Sequence, residues 1–224
     1  METKPKVVFL VGRDNWQNDV DLNQKLFEYL NQTPHEIVWE DEIWRPVHRL
    51  ILFQNQLKWL PSTLKTLHLR LFQISYAVFH WDYLKCLLLS KGVSVHFRAN
   101  KLKKELIKLG ETNDIIVLSR SAGGRFASLI ADELVAVKHI ICLGYPFQHP
   151  GKSAEPERYL HLKNLKTPMS IIQGDKDEYG GIEIQNQYEL SPAIDLVFMD
   201  ADHEFNVNEE IWKDVIQRID TVLN

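Results

Sequence analysis

The chain has 224 residues, 45% of them hydrophobic and 10% aromatic, which is enough apolar material for one well-buried core. A formal net charge of −4 excludes a global basic field that would recruit nucleic acid or an anionic membrane surface. The two cysteines, Cys86 and Cys142, are far apart and lack CxxC or Cys/His metal spacing, which points to a reduced, cytoplasmic protein; with no GxGxxG after the first apolar run and no P-loop, no metal or other cofactor is expected.

In chain order, residues 1–6 lead directly into Val7-Val8-Phe9-Leu10-Val11. That run is too short for the apolar region of a signal peptide and reads as a first buried strand. Leu22, Leu26 and Leu30 recur every four residues and predict a helix with one apolar face. Glu36–Trp39 reads as a second strand. Leu102, Leu106 and Leu109 predict another helix, its lysines turned the other way. Four more apolar runs follow at Ile115–Leu118, Ile140–Leu143, Met169–Ile172 and Ile194–Met199, and Ile211, Val215, Ile219 and Val222 close the chain with a helix. Most of the runs are almost wholly apolar, as strands covered by helices on both faces must be. The alternation predicts an α/β fold, with a mostly parallel sheet of about six strands and helices on both faces. The whole chain, 1–224, is expected to be a single domain.

The segment from about 44 to 92 breaks this rhythm. It is leucine- and aromatic-rich, with Trp59, Phe72, Tyr76, Phe79, Trp81 and Tyr83, and Pro61 divides it into at least two helical pieces. Connections in compact βα folds are short, so this is read as a helical insertion. It has three readings: a lid over an apolar substrate, a homodimerisation surface, or an extra helical layer. The last is preferred, because amphipathic aromatic helices usually belong to a core. Its most apolar stretch, Leu71 to Trp81, is broken by Gln73 and His80. It falls short of the roughly 18 uninterrupted apolar residues of a membrane span.

The stretch with chemical content is Ile115-Ile-Val-Leu-Ser-Arg-Ser-Ala-Gly-Gly-Arg-Phe126. A buried strand ends at Ser119, a helical pattern opens at about Ala122, and small residues crowd the junction. A nucleophile elbow needs such a turn, which holds Ser121 strained and exposed beside a helix N-terminus. The Ala122 amide is one expected oxyanion donor, and the loop after the first strand, at Arg13 or Asp14, is the expected second. The usual G-x-S-x-G pattern is altered, since Ser119 replaces its first glycine and adds a Cβ. An ordinary strand-to-helix turn accounts for the same small residues.

Two later strand ends add an acid and a base. Asp177 stands three residues after Gly174, with Asp175 as the alternative; Asp also caps turns after strands. His203 follows the strand ending at Met199, while His149 and His161 lie in a loop that could approach the same place. Serine, then aspartate, then histidine, each just past a strand, is the chain order of a hydrolytic triad on an α/β sheet.

At these residues the sequence resembles the α/β-hydrolase superfamily, and more narrowly the dienelactone-hydrolase-like small hydrolases. The resemblance rests on Gly123-Gly-Arg125, Leu143-Gly-Tyr-Pro146, Pro150-Gly-Lys152, His161-Leu162, Gln173 to Asp177 and Ala201-Asp-His203. It covers about 115–205. Such hydrolases usually carry His-Gly after the first strand, where this chain has Val11-Gly12 followed by Arg13. The resemblance implies a three-layer α/β-hydrolase-like sandwich and hydrolysis of a small acyl ester or thioester through an acyl-enzyme. Two rival readings are an acyltransferase and a non-catalytic module that binds a partner through the aromatic insertion.

Overall fold

The computed structural model describes residues 4–12, 20–40, 59–79 and 95–224, with positions 50, 53, 54, 56 and 57. The chain forms two compact units, one made of residues 1–40 and 99–224, the other of residues 41–98.

The first unit is built on six parallel strands, β1 (Lys6–Val11), β2 (Glu36–Trp39), β3 (Asp114–Arg120), β4 (Val137–Leu143), β5 (Met169–Gly174) and β6 (Ile194–Met199), in the order β2-β1-β3-β4-β5-β6. All six are the apolar runs of the sequence, extended by at most three residues at either end. Val7 to Val11, Ile115 to Leu118 and Ile140 to Leu143 are buried on both sides of the sheet. The edge strand β6 is only half-buried despite an equally apolar sequence, because it has a neighbour on one side alone.

Helix α1 (Val20–Leu30) joins β1 to β2. It shares a face of the sheet with the C-terminal helix, here α6 (Glu209–Leu223), through Tyr29 Oη donating to Asp220 (2.8 Å) and Lys25 paired with Glu209 (2.9 Å). Helices α3 (Val95–Gly110) and α4 (Ala122–Ile130) belong to the other layer, where Lys103 pairs with Glu133 just beyond α4. A short helix, α5 (Ile184–Gln187), lies between β5 and β6.

The apolar stripe of α6 differs slightly from the expected one. Trp212, Val215, Ile219 and Leu223 are buried, while Ile211 and Val222 flank them half-exposed. Both sets fit a helical period, and the sheet selects the one that carries the larger Trp212 inward. In α3, Leu102 and Leu106 are buried but Leu109 is only half-buried, since Gly110 makes the closer approach, to Ala136.

The second unit contributes helix α2 (Ser62–Phe79), which starts directly after Pro61. The Pro61 carbonyl accepts from the Lys65 amide (3.1 Å), so proline sits where its missing N–H costs nothing. Gln73 and Ala77 are buried, whereas Leu64, Leu67, Leu71, Ile74 and Val78 are about half-exposed or more. Amphipathic spacing fixes one face without saying what covers it. Among the described residues no helix is long and apolar enough to cross a membrane.

The strand order explains where a site forms. The chain leaves β1 toward β2, then returns past β1 to β3, so the connections diverge at the carboxyl ends of β1 and β3. Ligand sites of open parallel sheets form at such a divergence.

Candidate active site

Ser121 follows β3 and begins α4 in a backbone conformation with φ 48° and ψ −118°. Positive φ in a non-glycine residue is costly and persists only where the surroundings over-determine it. Here the Ser121 amide donates to the Leu143 carbonyl (3.0 Å), and the Gly124 amide donates back to the Ser121 carbonyl (3.0 Å).

The two glycines that follow are required by space. A Cβ on Gly123 would lie 2.5 Å from the Val11 carbonyl oxygen and 2.7 Å from that of Gly12. A Cβ on Gly124 would lie 2.2 Å from Cys142 Sγ and 3.2 Å from Ser119 Oγ. The N-terminus of α4 is thus wedged between the ends of β1 and β4. Ser119, the departure from the usual motif, fits because its hydroxyl donates to the Ile141 carbonyl of the neighbouring strand (2.8 Å). The added polar atom is satisfied, and glycine at 124 leaves room for it.

His203 and Asp177 come to Ser121 from β6 and β5. His203 Nε2 is 3.0 Å from Ser121 Oγ, and its Nδ1 is 2.9 and 2.8 Å from the two Asp177 carboxylate oxygens. All three side chains are buried, at 6%, 2% and 3% exposure for Ser121, His203 and Asp177, so the contacts are shielded from bulk solvent. Asp175 takes a different role, accepting from the Ala201 amide (3.3 Å) and tying the acid loop to the histidine loop. Gly174 permits that closeness, because a Cβ there would meet the Ala201 carbonyl oxygen at 2.4 Å.

Three groups that the sequence reading did not single out hold this arrangement. Gln173 is fully buried; its Nε2 donates to Asp177 Oδ2 and to the Gly180 carbonyl (2.8 Å each), and its Oε1 accepts from the Tyr145 amide (2.8 Å). The Tyr179 amide donates to Asp177 Oδ1 (2.7 Å), and the Tyr179 ring lies 4.3 Å from the His203 ring, centroid to centroid. Arg120, also buried, donates to the Leu143 carbonyl (3.0 Å) and to the carbonyl of His203 itself. Its guanidinium lies 5.3 Å from the ring centroid of Phe205, whose φ is 55°. Ser121 and Phe205 are the two non-glycine residues with positive φ among the described residues, and both border the histidine.

The loop histidines are used elsewhere. His161 Nε2 contacts Ser128 Oγ (2.8 Å), and His149 packs edge-on against Tyr179. The Ala122 N–H, the expected first oxyanion donor, is the first of α4 and has no intrahelical acceptor. Arg13, the expected second donor, lies outside the described residues, as does Cys86. Gly12, immediately before Arg13, is held beside Gly123. Among the described residues no group of three His, Cys, Asp or Glu side chains is placed to hold a metal ion.

An all-parallel sheet with a strained serine at its divergence point, and a carboxylate and an imidazole from the loops after its last two strands, defines the α/β-hydrolase class. The alpha/beta hydrolase domain family matches residues 63–223, and the chain belongs to that family. Solved structures share its fold at low identity. An α/β serine hydrolase homologue from Coxiella burnetii is 16% identical with a TM-score of 0.58, over 97% of this chain and 86% of the other. An α/β serine hydrolase without a lid from Xanthomonas campestris is 12% identical with a TM-score of 0.56, over 97% and 82%. The esterase domain of a Rhodothermus marinus protein is 12% identical with a TM-score of 0.50, over 98% and 86%. No curated protein matches the chain significantly.

Proposed function

We propose that this protein is a serine hydrolase that cleaves a small acyl ester or thioester through an acyl-enzyme. The observation that carries this reading is the continuous hydrogen-bonded chain from Ser121 Oγ through both nitrogens of His203 to the Asp177 carboxylate. A structural serine needs neither the positive φ nor a buried base, whereas a nucleophile needs both.

In this reading the Ser121 hydroxyl attacks the carbonyl carbon as its proton passes to His203 Nε2. Asp177 fixes the tautomer with the proton on Nδ1 and stabilises the imidazolium that forms. Gln173 and the Tyr179 amide keep the carboxylate aimed. The oxyanion is received at the start of α4 by the Ala122 N–H, with a second donor from the segment at Arg13; such a donor is worth roughly 2.7–4 kcal/mol in the transition state. His203 then returns its proton to the leaving alcohol or thiol. Water, deprotonated by the same nitrogen, attacks the acyl-enzyme and regenerates Ser121. Each step closes on residues of this chain, with no cofactor.

The resemblance of residues 115–205 to the dienelactone-hydrolase-like group, and the similarity in fold to the Coxiella burnetii serine hydrolase homologue and the Xanthomonas campestris serine hydrolase, favour the same chemistry. The experiment that tests it is covalent capture of the serine by a fluorophosphonate, alongside turnover of p-nitrophenyl esters. Ser121→Ala is expected to abolish both.

A further inference from the structure

Arg125 is the fourth residue after Ser121, about 6 Å along the axis of α4, and helical side chains lean back toward the N-terminus. It is only 8% exposed. Its Nε is buried without a hydrogen-bond partner among the described residues. No described carboxylate pairs with its guanidinium. Burial and the like charge of Arg158 both push its pKa below the ordinary arginine value.

The neighbouring polar groups are already engaged. Arg158 Nε donates to Glu155 Oε2 (2.5 Å), so that carboxylate is engaged. Tyr145 Oη donates to the Arg158 carbonyl (2.7 Å). Ser128 Oγ and His161 Nε2 share a hydrogen bond (2.8 Å), and burial, reinforced by Arg125, lowers the His161 pKa to about 4, so the imidazole stays neutral. Among the described residues the cluster therefore keeps one buried cation, Arg125, that no carboxylate bonds directly, Glu157 and Glu155 acting on it only through space. Buried charges are normally paired, and breaking such pairs is strongly unfavourable.

The cluster adjoins the Ser121 site. Tyr145 follows Gly144, where a Cβ would stand 3.3 Å from Asp177 Oδ2 and 3.4 Å from His203 Nδ1. Its backbone amide bonds Gln173, which in turn holds Asp177. Tyr145 thus links the two, its backbone bonded behind the histidine–aspartate pair and its hydroxyl bonded within the cationic cluster.

We propose that Arg125, backed by Arg158, is an anion subsite that receives a carboxylate or phosphate carried by the substrate whose ester is presented to Ser121. The placement relative to the reaction rests on the serine reading above; the anion site itself does not. A guanidinium fork matches a compact oxyanion in a bidentate manner, and the anion supplies the missing counter-charge.

Two measurements separate these layers. Ser121→Ala protein is titrated calorimetrically at low salt with glutarate and, separately, with inorganic phosphate. Stoichiometric binding of either is expected, weakened at least tenfold by adding Arg125→Gln and less by Arg125→Lys. The tighter of the two anions identifies the class. In the second measurement, wild type is expected to prefer mono-p-nitrophenyl glutarate over p-nitrophenyl pentanoate by at least tenfold in kcat/KM. Arg125→Gln should lower that ratio at least tenfold, through KM. If Arg125→Gln does not fold, as judged by circular dichroism, the same comparison is made with Arg125→Lys. No binding of either anion, or binding indifferent to the Arg125 substitution, overturns the subsite. Arg125-dependent binding without turnover of either ester leaves the subsite standing and removes the serine reading.

Discussion

Gly124→Ala tests how tightly the elbow is wound. The new methyl would stand 2.2 Å from Cys142 Sγ and 3.0 Å from Cys142 Cβ, and Cys142 is fully buried in the middle of the sheet. Either β4 or the start of α4 must shift, and overpacking of this kind costs about 1–3 kcal/mol. Cys142→Ala alone removes one buried atom and should cost about 1 kcal/mol. In the double variant the alanine methyl at 124 occupies the space of the lost sulfur, leaving the 3.0 Å contact with Cβ of residue 142 and the 3.2 Å contact with Ser119 Oγ. The two changes should therefore couple favourably by about 1–3 kcal/mol. Urea unfolding followed by circular dichroism at constant pH measures all four free energies, and each kcal/mol should also move Tm by about 2–4 °C in a protein this size. A Gly124→Ala protein as stable as wild type, or a double variant additive within ~0.5 kcal/mol, would refute the close packing of α4 on β4.

Burial holds His161 neutral with a pKa of about 4, below the ordinary 6.5, so the unfolded chain takes up this proton first as pH falls. Its contribution to stability is complete above about pH 6.5 and is lost progressively toward pH 4; at pH 5 the loss is about 2 kcal/mol. Comparing urea unfolding of wild type and His161→Gln at pH 8 and pH 5 isolates the effect, and equal losses in the two proteins would contradict it. Arg120→Met strips donors from the carbonyls of Leu143 and His203, which costs about 1–3 kcal/mol for each carbonyl left buried and unpaired. Ester turnover should fall in kcat because His203 loses its backbone anchor; unchanged stability together with unchanged kcat would show that Arg120 holds nothing.

Much of the fold was legible because buried parallel strands leave apolar runs that side-chain periodicity cannot disguise. Every run from Val7 to Met199 became a strand, and the distances from strand ends placed Ser121, Asp177 and His203 close enough to bond one another. What the sequence could not rank was set by contacts between distant residues. Asp175 and Asp177 are equivalent in sequence terms, and only the approach of Ala201 over Gly174 turns one toward a backbone amide and the other toward the imidazole. Gln173 lies within a stretch used to identify the motif, but its role depends on Tyr145 and Gly180, which sequence spacing does not bring together. Arg120 and Arg125 look like the surface arginines of a strand end and a helix; both are buried. The alternation between Trp212 and Ile211 as the inward position of α6 shows the same limit on a smaller scale.

The central claim is that Ser121 is a nucleophile activated by His203. It is tested most directly by incubating wild type, Ser121→Ala and His203→Ala with a fluorophosphonate and locating the adduct by peptide mass spectrometry. The account predicts one phosphonyl group on Ser121 in wild type, with fluoride released, none in Ser121→Ala, and labelling at least a hundredfold slower in His203→Ala, within the range assigned to general-base catalysis of about 10²–10⁴. A folded wild-type protein that stays unlabelled, or labelling of Ser121 at the same rate without His203, would contradict it.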